Sequence, residues 1–152
     1  MTDVIELLKT DHAEVLALLE KLAETRNSAP RTREKLRDQI AAMLKAHTQA
    51  EEDVFYPALR EAGREDEDEQ MLIEAVEEHA LADEVLAKLA ADDVPDNTFA
   101  AHAKLLKDLV EHHAQEEEKE MFPRARTLLP KDQRTQLGEQ VQACKQAVLG
   151  SA

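Results

Sequence analysis

One pattern occurs twice in this chain, and it restricts the fold more than any other feature. His47-Thr-Gln-Ala-Glu51-Glu-Asp-Val-Phe-Tyr-Pro57 in the first half answers to His113-Ala-Gln-Glu-Glu117-Glu-Lys-Glu-Met-Phe-Pro123 in the second. Each copy has His, Gln at +2, Glu at +4 and Pro at +10. Upstream, Asp11-His12-Ala13 answers to Glu78-His79-Ala80. The offset is 67 residues from His12 to His79 and 66 from His47 to His113. Within each half, 35 or 34 residues separate the lone His from the His-x-x-x-Glu. That spacing fits one helix down, a turn, and one helix back to a similar depth.

The rest of the sequence agrees with helices. Apolar residues recur at helical spacing in Val4, Leu7, Leu8, Val15, Leu18, Leu19 and Leu22, and again in Leu36, Ile40, Met43 and Leu44. Four long helices are predicted over about residues 2–26, 30–62, 67–91 and 98–127. Pro30 suits the first turn of the second helix, and Pro57 is expected to bend or end its regular part. Asp96 or Asn97 is placed to cap the fourth helix. Short breaks between long helices imply an all-α, up-down-up-down antiparallel four-helix bundle over residues 1–128. Pro130 opens a shorter C-terminal helix, to about residue 149, with Leu137, Val141, Cys144 and Val148 on one face. Residues 129–152 are therefore expected to pack on the outside of the bundle.

Composition narrows the possible partners. Aromatic residues make up only 3% and glycines number three, which favours helix over strand. The formal charge of −14 repels phosphate, so nucleic acid and anionic membrane are poor partners, whereas metal cations are tolerated. A single thiol, Cys144, supplies neither an internal disulfide nor a Cys-based zinc or iron–sulfur site. The N-terminal stretch lacks a basic start and a long apolar run, and no segment approaches membrane-span length. A cytoplasmic monomer or weak dimer is expected.

Residues four apart lie one turn apart on the same helix face, so His47 pairs with Glu51 and His113 with Glu117. His12 and His79 approach from the other two helices. Charged carboxylates inside a bundle are costly unless paired or coordinating a metal, and a cation offsets that cost for Glu51 and Glu117. Composition alone places about one acidic residue at +4 among six histidines, yet four occur: Glu51, Asp83, Glu116 and Glu117. His112 lies about 100° round the helix from His113, and the repeat selects His113. His102 reads as an end-of-bundle residue. Glu52, Glu116 and Glu118 read as solvated or as standing behind the ligands. Zinc and manganese accept the same donors, but six ligands around two ions suit a higher coordination than a closed tetrahedral zinc site. Ferritin-like bundles use Glu-x-x-His with extra Glu ligands, a spacing that this chain does not match.

These motifs resemble the hemerythrin-like, or HHE cation-binding, family over roughly residues 3–128. The resemblance implies a non-haem diiron centre. His12, His47, His79 and His113 would be terminal ligands, and Glu51 and Glu117 would bridge two iron ions that share an oxo or hydroxo group. Oxygen-carrying members have a fifth histidine one turn after the third-helix histidine, where this chain has Asp83. Asp83 is therefore a candidate ligand or a carboxylate holding a His in place, and Tyr56 is a candidate ligand or hydrogen-bond donor. Harder carboxylate donors favour ferric iron, which moves the expected function from reversible oxygen transport toward sensing or redox chemistry. The expected ligand is O2, peroxide or nitric oxide, with a role in sensing or oxidative-stress protection. A catalase-like enzyme that disproportionates peroxide and an iron storage or handling protein are the alternatives.

Overall fold

A computed structural model describes residues 2–150, and among them every regular element is helical, with no strand. Met1 and residues 151–152, the extreme ends of the two expected segments, lie outside the described residues. Helix α1 (Val4–Glu24) starts where the Asp3 side chain accepts a hydrogen bond from the Ile5 amide at 2.9 Å. Helix α2 (Pro30–Ala50) begins with Pro30 in its first turn, as expected of a residue with no amide hydrogen to lose. Helix α4 (Asp66–Ala91) opens on a reciprocal cap, because Glu65 and Asp68 each satisfy the other's backbone. Helix α5 (Asn97–Glu116) is capped by Asp96.

The two proline-ended motifs do not end their helices. After Ala50 the chain makes a π-helical turn, Glu51–Phe55, and continues as α3 (Tyr56–Ala62). After Glu116 it does the same through Glu117–Met121 into α6 (Phe122–Leu128). The amide of Tyr56 reaches back to the carbonyl of Glu51, and that of Phe122 to Glu117. This wider turn lets the helix run on past Pro57 and Pro123, which cannot donate. π-bulges of this kind recur at functional sites, and both here begin at a glutamate of the repeat.

Helices α1, α2, α4 and α5 close a ring of mutual contacts. The core inside that ring is split in two. One apolar cluster gathers Val4, Ile5, Leu8, Phe55, Leu59, Leu72 and Phe122. The other gathers Val15, Leu19, Leu22, Ile40, Leu44, Leu89, Phe99 and Leu106. Between them in the sequence of each helix falls a buried polar stretch: Asp11 and His12 on α1, His47 on α2, His79 on α4. At the far end Arg33 is 2% exposed, donating to the carbonyls of Val94 at 2.7 Å and Thr25 at 3.2 Å while lying over the Phe99 ring. It thereby ties the α1–α2 connection to the α4–α5 connection.

Helix α7 (Lys131–Gly150) packs against α1 and α2. Leu137 and Val141 are buried in the first cluster, with Cys144 half-buried beside them. Gly138 permits this approach: a Cβ there would stand 2.1 Å from the Thr2 carbonyl oxygen.

Candidate metal centre

The polar layer is built from four imidazoles and two carboxylates. His12, His47, Glu51, His79 and Glu117 are all buried, and the His113 side chain is 11% exposed. Glu51 Oε1 lies 3.2 Å from His47 Nε2 and 3.1 Å from His79 Nε2. Glu117 Oε1 lies 3.0 Å from His12 Nε2 and 3.2 Å from His113 Nε2. Each carboxylate thus has one histidine from each half within 3.2 Å, and Glu51 Oε1 also lies 3.9 Å from His113 Nε2. The rings pair by half, with centroids 5.1 Å apart for His12 and His47 and 4.8 Å for His79 and His113. All six residues of the duplicated pattern therefore converge.

Behind each ring stands another carboxylate. His47 Nδ1 donates to Asp11 at 2.9 Å and His113 Nδ1 to Glu78 at 2.7 Å. His79 Nδ1 donates to Glu52 at 2.7 Å and His12 Nδ1 to Glu118 at 2.9 Å. The first two contacts stay within a half, and the second two cross between halves. With Nδ1–H committed outward, Nε2 of each ring faces the centre, the arrangement that orients a metal-ligating imidazole once Nε2 has given up its proton. Asp11, Glu78, Glu52 and Glu118 flank the histidines and glutamates of the motif, so the repeat contained this signal. Spacing along the chain assigns Asp11 and Glu78 no role and leaves Glu52 and Glu118 between solvent and support.

Aromatic rings close the floor. Phe122 stacks on His12 with centroids 5.8 Å apart, and Tyr56 stacks on His79 at 5.5 Å. The two are equivalent in the repeat, but only Tyr56 carries a hydroxyl, which donates to Glu117 Oε2 at 2.9 Å. Burial raises the Tyr56 pKa well above 10, and the Glu117 and Glu51 carboxylates push it the same way, so the phenol keeps its proton.

The expected place of Asp83 is different. It is exposed on α4 and belongs to none of the His/carboxylate groups among the described residues. The buried face of α4 runs through Leu72, Ala75, His79, Val85 and Leu89, and Ala82 rather than Asp83 lies on the side toward which that stripe drifts. His102 pairs with Asp92 at 2.5 Å, consistent with its reading as an end-of-bundle residue. His112 is exposed and meets Glu116 at 3.1 Å and Glu78 at 3.6 Å.

The electrostatics fit a cation. Burial opposes the charged form of His47, but the Glu51 carboxylate and the Asp11 hydrogen bond outweigh it and push its pKa up to about 10. His113 is pushed up to about 12 against the same penalty, chiefly by Glu117. Glu51 is held well below 4.5 despite its burial, with His47 the main cause. The centre therefore concentrates negative charge that only positive charge relieves. Among the described residues two buried side-chain atoms lack a hydrogen-bond partner, Glu51 Oε2 and His47 Nε2; the latter is near Glu51 Oε1 but not aligned with it. Such orphaned donor atoms are what a metal ion would satisfy. Two nitrogens each about 2.1 Å from one ion, at a right angle, sit about 3 Å apart. His79 Nε2 and His113 Nε2 are 3.3 Å apart. Imidazole with carboxylate is a donor set for iron, zinc or manganese.

Among the described residues, two buried groups of ligand atoms lie close enough to share an ion: His12, His47, Glu51 and Glu117, and Glu51, His79 and His113; a third group, Glu78, His112 and Glu116, lies at the surface, where acidic clusters are common without an ion. A cavity of about 30 Å³ adjoins both, walled by Val15, Leu44, Ala82, Leu109 and Val110 beside the four histidines. A fold of this kind, with a buried His/Glu layer and a duplicated His-x-x-x-Glu, defines a cation-binding helical domain. The chain belongs to the hemerythrin HHE cation binding domain family, whose model matches residues 3–125. A solved hemerythrin HHE cation binding domain-containing protein from Mycobacterium kansasii superposes with a TM-score of 0.85. It is 26% identical, over 99% of this chain and 90% of that one, so the likeness extends past residue 125 through α7. A curated relative from Nostoc sp., described as a DNA nickase, is 26% identical over 146 residues. This chain is matched over 96% of its length but spans only 40% of that relative.

Proposed function

We propose that this is a non-haem diiron protein that binds or reacts with O2, peroxide or nitric oxide in the cytoplasm, in sensing or oxidative-stress protection. In this reading α1, α2–α3, α4 and α5–α6 form an up-down-up-down antiparallel four-helix bundle through residue 128, and α7 is an added helix on its outside. His12, His47, His79 and His113 would be the terminal ligands of the two irons, and Glu51 and Glu117 the carboxylates shared between them. The observation that carries the reading is the pair of buried carboxylates, each facing one histidine from each half, beside an apolar-walled cavity of about 30 Å³. That volume holds one or two water-sized molecules, the scale of a diatomic gas or peroxide.

Iron would supply the change of oxidation state and the open coordination positions that such ligands require. The protein's part is positional. The carboxylates behind the rings fix the imidazoles, Tyr56 holds Glu117 and keeps a proton beside the centre, and the apolar wall excludes bulk water. No helix among the described residues is long and apolar enough to cross a membrane. The formal charge of −14 opposes phosphate, which weighs against carrying the Nostoc relative's DNA-cutting description over to this domain.

The test is metal content per chain with the visible spectrum, followed by peroxide addition. Two irons per chain with absorption of bridged ferric ions is the expected result. Sustained oxygen release, two peroxides giving two waters and one O2, would favour the catalase-like enzyme. A spectral change that reverses when the ligand is removed would favour the sensor or binder. Iron that chelators remove readily, from a chain that folds equally well without it, would favour storage. One zinc ion or no metal with the helices intact would refute the diiron reading.

A further inference from the structure

The duplication gives both halves the same parts, but the surroundings of two equivalent carboxylates differ. Asp11 and Glu78 precede His12 and His79, and each accepts a hydrogen bond from the His-x-x-x-Glu histidine of its own half. Asp11 is 7% exposed, and its other oxygen, Oδ1, accepts from Lys145 Nζ at 2.5 Å. The corresponding oxygen of Glu78, Oε2, lies 3.6 Å from His112 Nε2, and the Glu116 carboxylate stands within 4.8 Å of the same pair. One carboxylate therefore carries an ammonium, and the other stands between an exposed imidazole and a second acid. Lys145 comes from α7, which has no counterpart in the duplicated pattern and packs on α1 and α2, the helices bearing Asp11 and His47.

A carboxylate behind a ligating imidazole lends negative charge through Nδ1–H and strengthens Nε2 as a donor. An ammonium bound to the same carboxylate competes for that charge. We propose that Lys145 is a positioning residue that makes the His12/His47 end of the site a weaker metal position than the His79/His113 end. Two metal ions then load in a defined order, with the His79/His113 end filling first, and the C-terminal helix sets that order. The inference rests on the two-metal reading of the site.

The test adds cobalt(II) to the metal-free full chain and follows the visible d–d absorption for wild type, Lys145→Met, Lys145→Gln and Lys145→Arg, with circular dichroism confirming the fold. Wild type is expected to bind two equivalents, the second about tenfold more weakly than the first, the scale set by partners behind metal ligands. The gap should narrow in Lys145→Met and Lys145→Gln and persist in Lys145→Arg. Equal affinities in wild type, or a gap unchanged or widened in both neutral variants, would overturn the role of Lys145 while leaving the two-metal site standing. Fewer than two cobalt ions bound by wild type would overturn the two-metal reading and this inference with it.

Discussion

Replacing Glu52 by alanine tests whether the carboxylates behind the rings matter. Glu52 touches no candidate metal position; its Oε2 accepts from His79 Nδ1 at 2.7 Å across the two halves of the chain. Without it, the imidazole of a residue 3% exposed loses the partner that fixes its ring plane and tautomer. Losses behind a metal ligand run about 10–100-fold in affinity, or about 1.4–2.7 kcal/mol. The Glu52 side chain is 39% exposed, so water can replace part of the hydrogen bond, and the lower end, about tenfold, is expected. Glu118 makes the same contact to His12 and is also 39% exposed, so Glu118→Ala should match it. The assay equilibrates iron-loaded protein against chelators of graded strength and counts the iron retained per chain. Wild-type retention in both variants would refute the supporting role. A large difference in the factor each variant loses at its own end of the site would refute the symmetric brace.

Other expectations follow from the same geometry. Glu51→Ala and Glu117→Ala each remove a donor that faces histidines of both halves, so each should lower iron content far more than Glu52→Ala in the same assay. In the metal-free protein the neighbouring carboxylates push the pKa of His47 up to about 10 and that of His113 up to about 12, above an unfolded value of about 6.5. Their stabilising contribution is fully present below about pH 6.5 and is lost as pH rises through the folded values, so the melting temperature should fall between about pH 7 and 10. A rise over that window would contradict the assignment. Arg33→Met leaves buried carbonyls unpaired and should cost about 2–4 kcal/mol in urea unfolding without changing iron content, because it lies at the far end from the buried His/Glu layer.

The sequence by itself determined the helices and the six converging residues. Helical periodicity follows from the chain's own chemistry, and a duplicated His-x-x-x-Glu keeps its one-turn spacing whatever surrounds it. That is why His12, His47, Glu51, His79, His113 and Glu117 were all legible. Tertiary structure decided what depended on neighbours remote in sequence. Asp83 sits at the right interval from His79, but the apolar face of α4 drifts away from it, and burial is settled by the helix packed opposite. The π turns at Glu51 and Glu117 reflect how each helix passes its proline while keeping the glutamate inward, which periodicity does not encode. Asp11, Glu52, Glu78 and Glu118 were visible as acids among 33, but only docked helices bring them to imidazoles 27 to 106 residues away. Lys145 is the extreme case: 134 residues from Asp11, it meets it only because α7 folds back over α1 and α2.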